Sequence, residues 1–230
     1  MRTILSMVLS LPAAFAVLVA CDQGGSDVQT PSEEIAVESP GQVSWRGRAY
    51  RTIVVGRQVW TAENLDDAGP MGTLGSCYGG EKDSCAKYGR LYTWMEATTV
   101  STSEPPPAGR VRGACPVGWH LPSDTEWDTL LEAAGGARVG GAALKSSSGW
   151  IAGGEGMDLL GFKGLPAGSR NAEGQYAAAG RNATWWSSTP NAIGTAWNRY
   201  LEGTSGSVQR LWEVKELGFS VRCLRDAPAP

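Results

Sequence analysis

The chain has 230 residues, and 20 lysines and arginines against 23 aspartates and glutamates give a net charge of −3. No basic run is present, which argues against a nucleic-acid partner because phosphate binding requires clustered positive charge. The 31 glycines are nearly double the usual ~7%, and ten tryptophans stand against three phenylalanines. We therefore expect one loop-rich domain whose aromatic core is built largely from tryptophan.

The first twenty residues, 1–20, predict a secretory signal peptide. Arg2 precedes an apolar stretch that is too short and too interrupted to span a bilayer permanently. It ends in LVAC, residues 18–21, which resembles a bacterial lipobox. That resemblance implies cleavage before Cys21, acylation of Cys21, and a membrane as a partner through the lipid anchor. The alternative is an ordinary signal peptide followed by a free cysteine.

Residues 21–42 are predicted to form the acylated cysteine and a flexible tether. The segment is polar, acidic and interrupted by proline and glycine, so it cannot bury a core. We expect the protein to be lipid-anchored in the cell envelope, at the outer membrane or cell surface. Asp22 directly after Cys21 resembles an inner-membrane retention signal, which makes the inner membrane the alternative.

Hydrophobic patterns predict a hairpin near the start of the domain and strands near its end. Residues 50–60 alternate around a Gly-Arg turn, and residues 91–98 have helical spacing. Residues 137–182 are rich in Gly, Ala and Ser and predict long ordered loops with short strands. Residues 183–224 contain four apolar runs that predict strands, with one turn at Pro190-Asn191.

The segment CPVGWHLPSDTEWDTLL, residues 115–131, contains the single histidine of the chain. Ser123 and Glu126 have the S-x-x-E spacing of a capping box, which predicts a helix that ends near Gly135-Gly136. His120 is a candidate base or metal ligand. No G-x-S-x-G nucleophile motif accompanies it, so we interpret His120 as a packed or hydrogen-bonded side chain. The sequence thus predicts no catalytic residue.

Metal sites and cofactors are not predicted either. The loop carboxylates of Asp66, Asp67, Glu81 and Asp83 lack the spacing of a calcium-binding EF loop. We interpret them as solvated surface groups, with calcium binding as an alternative that no motif supports.

Four cysteines remain once Cys21 is set aside, and an even number in an exported protein is typical of disulfides. Three pairings are possible. We favour Cys77–Cys85, which closes a short loop, and Cys115–Cys223, which ties the middle of the chain to its end. Zinc binding is the weaker alternative, because the spacings are wrong and only one histidine is available.

Tryptophan supplies the candidate ligand-binding residues: Trp185, Trp186, Trp197 and Trp212. Aromatic faces bind sugar rings and other amphipathic ligands. Trp185 and Trp186 are adjacent, so in a strand they point to opposite faces, and one of them is expected in the core. For each of the four, core packing is the alternative to ligand contact.

Several ordered motifs resemble one protein family. They are VWTAENL, CAKYGRLYTW, ACPVGWHLPSDTEW, LKSSSGW, GFKGLPAGSR, WWSST and GFSVRC, and they extend over residues 45–225. This order is similar to the Fibrobacter succinogenes major paralogous domain family, which is similar in turn to the formylglycine-generating (sulfatase-modifying) enzymes. The resemblance implies an α+β, C-type-lectin-like domain with short helices, a twisted antiparallel sheet and long ordered loops over residues 43–226, followed by a tail, 227–230.

The resemblance does not by itself imply catalysis. Formylglycine-generating enzymes of the aerobic type use two cysteines that bind copper, whereas all four domain cysteines here have disulfide partners in the favoured pairing. The sugar-binding triplets of C-type lectins also fail, because Glu104-Pro105 is followed by Pro and Trp197-Asn198 by Arg199. We expect a non-enzymatic binding or adhesion module for an extracellular glycan, cell-wall polymer or protein. An enzyme of the formylglycine-generating type, or a structural envelope protein, is the alternative.

Overall fold

The computed structural model describes residues 36–39, 41–98 and 109–227. Most of its strands are antiparallel and its helices are short, so the predicted α+β class is confirmed. The strands are β1 (Val37–Ser39), β2 (Gln42–Trp45), β3 (Arg48–Val55), β4 (Gln58–Thr61), β5 (Ser169–Arg170), β6 (Tyr176–Ala177), β7 (Asn182–Ala192), β8 (Thr195–Glu202), β9 (Val208–Val214) and β10 (Leu224–Asp226). The helices are α1 (Lys82–Tyr88), α2 (Trp94–Thr98), α3 (Asp124–Ala133) and α4 (Gly140–Leu144).

Some predictions concern residues outside the described ranges. These are the signal peptide 1–20, the acylation site Cys21, most of the tether, Glu104-Pro105 and residues 228–230 of the tail. In the described part of the chain, no helix is both long enough and apolar enough to cross a bilayer.

The first sheet has five strands in the order β1-β2-β3-β4-β10. The predicted hairpin is β3–β4, and its turn uses Gly56 at a φ of +60°, a conformation that glycine adopts without steric cost. Strand β1 pairs with β2, so folded structure begins inside the segment predicted as tether. The reason is that Val43 and Trp45 of β2 are buried, and β1 satisfies the outer hydrogen-bonding edge of that strand.

The second large sheet has three strands in the order β7-β8-β9. The turn predicted at Pro190-Asn191 is wrong, because β7 continues to Ala192 and the register is irregular around Pro190. Such irregularities accommodate a residue without an N–H donor. The predicted strand at residues 218–224 is mostly irregular; Phe219 and Ser220 form isolated bridges to Tyr92 and Trp185, and only Leu224 enters β10.

Two hydrophobic clusters lie on opposite sides of β7. Trp186 belongs to one, with Trp45, Tyr50, Trp119 and the buried Cys115–Cys223 disulfide. Trp185 belongs to the other, where the aromatic side chains are Trp60, Trp127, Trp150 and Phe162. The expectation of a tryptophan-rich core is confirmed in both clusters.

Both favoured disulfides are present. The sulfur atoms are 2.01 Å apart in Cys77–Cys85 and 2.08 Å apart in Cys115–Cys223. The sequence predicted a loop between Cys77 and Cys85, whereas Cys85 lies in helix α1. A seven-residue helix that buries only Cys85 leaves no apolar stripe in the sequence by which it could be recognised.

Candidate ligand-binding site

His120 and the start of α3 form a hydrogen-bonded unit. His120 Nε2 lies 2.8 Å from Glu126 Oε1, and the Ser123 backbone N–H donates to Glu126 Oε2 at 2.8 Å. The Glu126 backbone N–H donates to Ser123 Oγ, so the predicted capping box is complete. His120 is 3% exposed. The histidine therefore positions Glu126 at a helix start, in agreement with the interpretation from the sequence.

The loop carboxylates Asp66 and Asp67 are held by protein groups. Trp45 Nε1 donates to Asp67 Oδ2 at 2.9 Å, and the guanidinium groups of Arg48 and Arg90 pair with Asp66. The expectation of solvated surface groups is wrong for Asp67, which is buried, because the folded β2 brings Trp45 onto it. In the described ranges, no three His, Cys, Asp or Glu side chains are grouped so that they could hold a metal ion.

Trp185 and Trp186 point to opposite faces of β7, but neither can contact a ligand at the surface. Trp185 is 1% exposed and donates to Asn64 Oδ1 at 2.8 Å, whereas Trp186 is fully buried and donates to the Tyr92 carbonyl at 2.8 Å. One of the two was expected in the core, and both are in it, so the alternative of core packing holds for each. Side chains of adjacent strand residues point to opposite faces of the sheet, and here hydrophobic clusters cover both faces of β7.

Trp197 and Trp212 face each other across β8 and β9. Trp212 is 56% exposed, whereas Trp197 is half-buried beneath the guanidinium carbon of Arg210, 3.3 Å from the ring centroid. Arg210 is fixed in turn by Asp124, with Nη2 and Oδ2 2.7 Å apart. Val214 lies on the same face and is also exposed. We call Trp197, Arg210, Trp212 and Val214 the Trp212 surface.

A charged network centred on the buried Arg199 lies beside this surface. Arg199 is fully buried and pairs with Asp124 and Asp128 of α3. Burial would raise the pKa of Asp124, but hydrogen bonds from Arg210 and Arg199 outweigh it and lower that pKa. Ion pairs therefore join α3 to the two strands that carry the Trp212 surface.

The opposite face of the same sheet contains a pocket of about 180 Å³. Its polar lining is Ser169, Asn182, Thr184, Asn198, Tyr200 and Glu213. Leu211, Leu217 and Phe219 form its apolar part. This pocket was not predicted from the sequence; the available signal was the alternation of polar side chains at 182, 184, 198 and 200 on strands that otherwise pack a core.

A comparison with known protein families matches residues 53–225 to the Fibrobacter succinogenes major domain. The chain belongs to that family. No curated protein and no solved structure matches the chain. The matched family domain begins within β3 and ends within β10, so β1 and β2 precede it. Both disulfides, the Trp212 surface and the pocket lie within the family domain.

Proposed function

We propose that this member of the Fibrobacter succinogenes major domain family is a lipid-anchored envelope protein. In this proposal its C-type-lectin-like domain binds an extracellular glycan, cell-wall polymer or protein. The observation that carries the binding role is the exposure of Trp212, whose ring lies on the same sheet face as its cross-strand neighbour Trp197. An exposed tryptophan on a rigid strand offers a large contact area and loses little conformational entropy on binding.

The surroundings of Trp212 favour recognition over catalysis. Arg210 covers Trp197 and is held by Asp124, so the surface presents an aromatic ring, a cation and an aliphatic side chain in fixed positions. His120, the single histidine of the sequence, is buried and hydrogen-bonded to Glu126. Copper chemistry of the formylglycine-generating type needs thiols, and the four domain cysteines form disulfides.

The lipid anchor belongs to the same proposal. The lipobox-like segment ends at Cys21, and two or more acyl chains give stable membrane attachment. Mass spectrometry of the amino-terminal peptide from the mature protein is expected to find an acylated Cys21. An unmodified Cys21 thiol at the mature terminus would contradict the anchor without affecting the binding proposal.

Binding is tested with the full chain, purified in detergent, against purified polysaccharides and envelope fractions. We expect saturable binding that Trp212→Ala weakens about tenfold or more, because central aromatic side chains dominate many interfaces. The matched control is Ile193→Ala, which removes a side chain that is 98% exposed at the tip of the β7–β8 hairpin. Equal binding by the Trp212→Ala variant and the unaltered protein would contradict the proposed surface.

A further inference from the structure

The outer edge of the C-terminal sheet is strand β9, which has one neighbouring strand in the described part of the chain. It ends the order β7-β8-β9, and its register with β8 runs without a break from Val208 to Val214. The Val208 N–H points away from β8 and donates to the Ala137 carbonyl. Because this direction alternates along an antiparallel strand, the N–H groups of Arg210, Trp212 and Val214 also point outward. No described residue accepts a hydrogen bond from these three groups.

The opposite edge of the same sheet, on β7, is covered. The Ser220 carbonyl accepts from the Trp186 N–H, and the Ser220 N–H donates to Thr184. Open edges are usually blocked by proline, lysine, a bulge or a very short strand, because an unpaired edge is a template for another strand. Strand β9 has none of these features: its sequence is VQRLWEV, and five of its seven residues are exposed. Its outer edge is therefore accessible to a strand from another molecule.

We propose that β9 pairs antiparallel with β9 of a second copy of this chain, with the two-fold axis at Leu211. An open edge presents backbone donors and acceptors at the spacing of an extended polypeptide, so its occupant is a strand. In this register the outward N–H and C=O groups of Arg210 meet those of Trp212 in the second copy, which gives four hydrogen bonds across the two-fold axis. The two three-stranded sheets become one sheet of six strands.

The side chains of β9 complement each other in this arrangement. Leu211 lies opposite its own copy, and Gln209 lies opposite Glu213 of the second copy on the same face. On the other face Arg210 lies opposite Trp212 of the second copy, and a guanidinium group and an indole ring attract each other. Each cross-strand pair is thus apolar with apolar, amide with carboxylate, or cation with aromatic ring. This match favours a second copy over an unrelated strand.

Neighbouring registers fit less well. An axis at Arg210 would place two arginines directly opposite each other, and like charges in that position are destabilising. An axis at Trp212 would place Leu211 opposite Glu213, an apolar side chain against a carboxylate. The side chains therefore select the register centred on Leu211.

The first test measures the mass of the full chain by sedimentation velocity, with detergent micelles in large excess over protein. We expect a dimer that forms as the protein concentration rises. Leu211→Lys and Leu211→Glu should each weaken it about tenfold or more, because each places like charges opposite across the two-fold axis. An equimolar mixture of the two variants should restore the dimer, because Lys then faces Glu. Restoration on mixing separates lost pairing from misfolding, which mixing would not repair.

The matched control is Ile193→Lys. It adds the same charge at a side chain that is 98% exposed at the tip of the β7–β8 hairpin, away from the outer edge of β9. Its dimer should be as stable as that of the unaltered protein.

The second test fixes the register by oxidative cross-linking. Leu211→Cys is expected to form a disulfide-linked dimer, because directly opposite Cβ atoms lie about 4.5–5.5 Å apart. Glu213→Cys is the control on the same face. Its two copies are four positions out of register, roughly 13 Å along the strands at ~3.3 Å per residue, and should not cross-link.

The outcomes are independent of ligand binding, so this inference and the proposed function fail separately. A single-chain mass at every concentration overturns the dimer, as does equal dissociation in Ile193→Lys or no recovery on mixing the Leu211 variants. Cross-linking of Glu213→Cys in preference to Leu211→Cys overturns the register. Loss of polymer binding in Trp212→Ala concerns the proposed function alone.

Discussion

Glu126 caps helix α3, and folding changes the pKa of its carboxyl group. Burial alone would raise its pKa, but hydrogen bonds from His120 and from the Ser123 backbone outweigh burial and lower the pKa from 4.5 to about 2. The folded protein therefore binds a proton at Glu126 less readily than the unfolded chain does. A carboxylate of this kind stabilises the folded state above its unfolded pKa, and the contribution is lost as the pH falls.

Glu126→Gln is expected to lower the free energy of unfolding by up to about 3 kcal/mol at pH 7. The difference in the free energy of unfolding between the variant and the unaltered protein should shrink as the pH falls from 4.5 to about 2. In that range Glu126 becomes protonated first in the unfolded and then in the folded state. Chemical denaturation across this pH range measures both curves. A difference in free energy of unfolding that stays constant down to pH 2 would contradict stabilisation by the ionised Glu126 carboxylate.

At the scale of single residues, contacts between partners that are close along the chain were predicted correctly. Ser123 and Glu126 are three residues apart, so their contact follows from helix geometry. One of Trp185 and Trp186 was expected in the core and both are there, and the burial of Asn198 was not predicted. The partners that fix Trp185 and Trp186 in the core are Asn64 and Tyr92, which lie 121 and 94 positions away in the chain.

Helix α3 is attached to the C-terminal sheet by two arginines of different burial. Arg199 on β8 is fully buried and reaches Asp124 and Asp128, whereas Arg210 on β9 is largely exposed and reaches Asp124 alone. Removal of one member of a buried ion pair leaves a charge without its partner in a poorly solvated place. Exposed pairs contribute little because solvent screens them.

Arg199→Met is therefore expected to cost about 3 kcal/mol of folding free energy. Arg210→Met, the matched control on the neighbouring strand, should cost about 1 kcal/mol or less. Denaturant unfolding of the two variants, followed by tryptophan fluorescence, gives the comparison. Equal losses would show that the buried position of Arg199 does not set its contribution.

Elements with a local signature were predicted, and elements without one were not. The β3–β4 hairpin has alternation and a glycine turn, and α3 has its capping box. Helix α1 lacks an apolar stripe, so it was assigned to a loop. At Pro190 the local turn signal was overridden, because pairing with β8 continues beyond the proline to Ala192.

The two disulfides constrain very different lengths of the whole molecule. Cys115 and Cys223 are 108 residues apart, whereas Cys77 and Cys85 are 8 apart. In the chain-entropy description, a longer closed loop removes more conformational freedom from the unfolded state. The long disulfide also lies fully buried in the cluster around Trp119, so it joins the middle of the chain to the residue just before β10 within the core.

Replacing Cys115 and Cys223 together by alanine is expected to lower the free energy of unfolding by about 4–5 kcal/mol. The Cys77→Ala, Cys85→Ala pair should cost about 2–3 kcal/mol. Urea unfolding of both double variants under non-reducing conditions measures the difference. A larger loss for the short loop would contradict this ranking.

The sequence by itself indicated the family and the α+β class from the order of its motifs, and it determined the capping box because Ser123 and Glu126 are close in the chain. It favoured the observed cysteine pairs among three possible pairings. Only the tertiary structure decided which tryptophans are exposed and where an unpaired amide is buried. Burial depends on what covers each face of a sheet, and the covering residues come from distant segments: Asn64 is 121 positions from Trp185, and Tyr92 is 94 from Trp186. That is why Trp212 remained a candidate for ligand contact, Trp185 and Trp186 became core, and Asn198 was seen only in the fold.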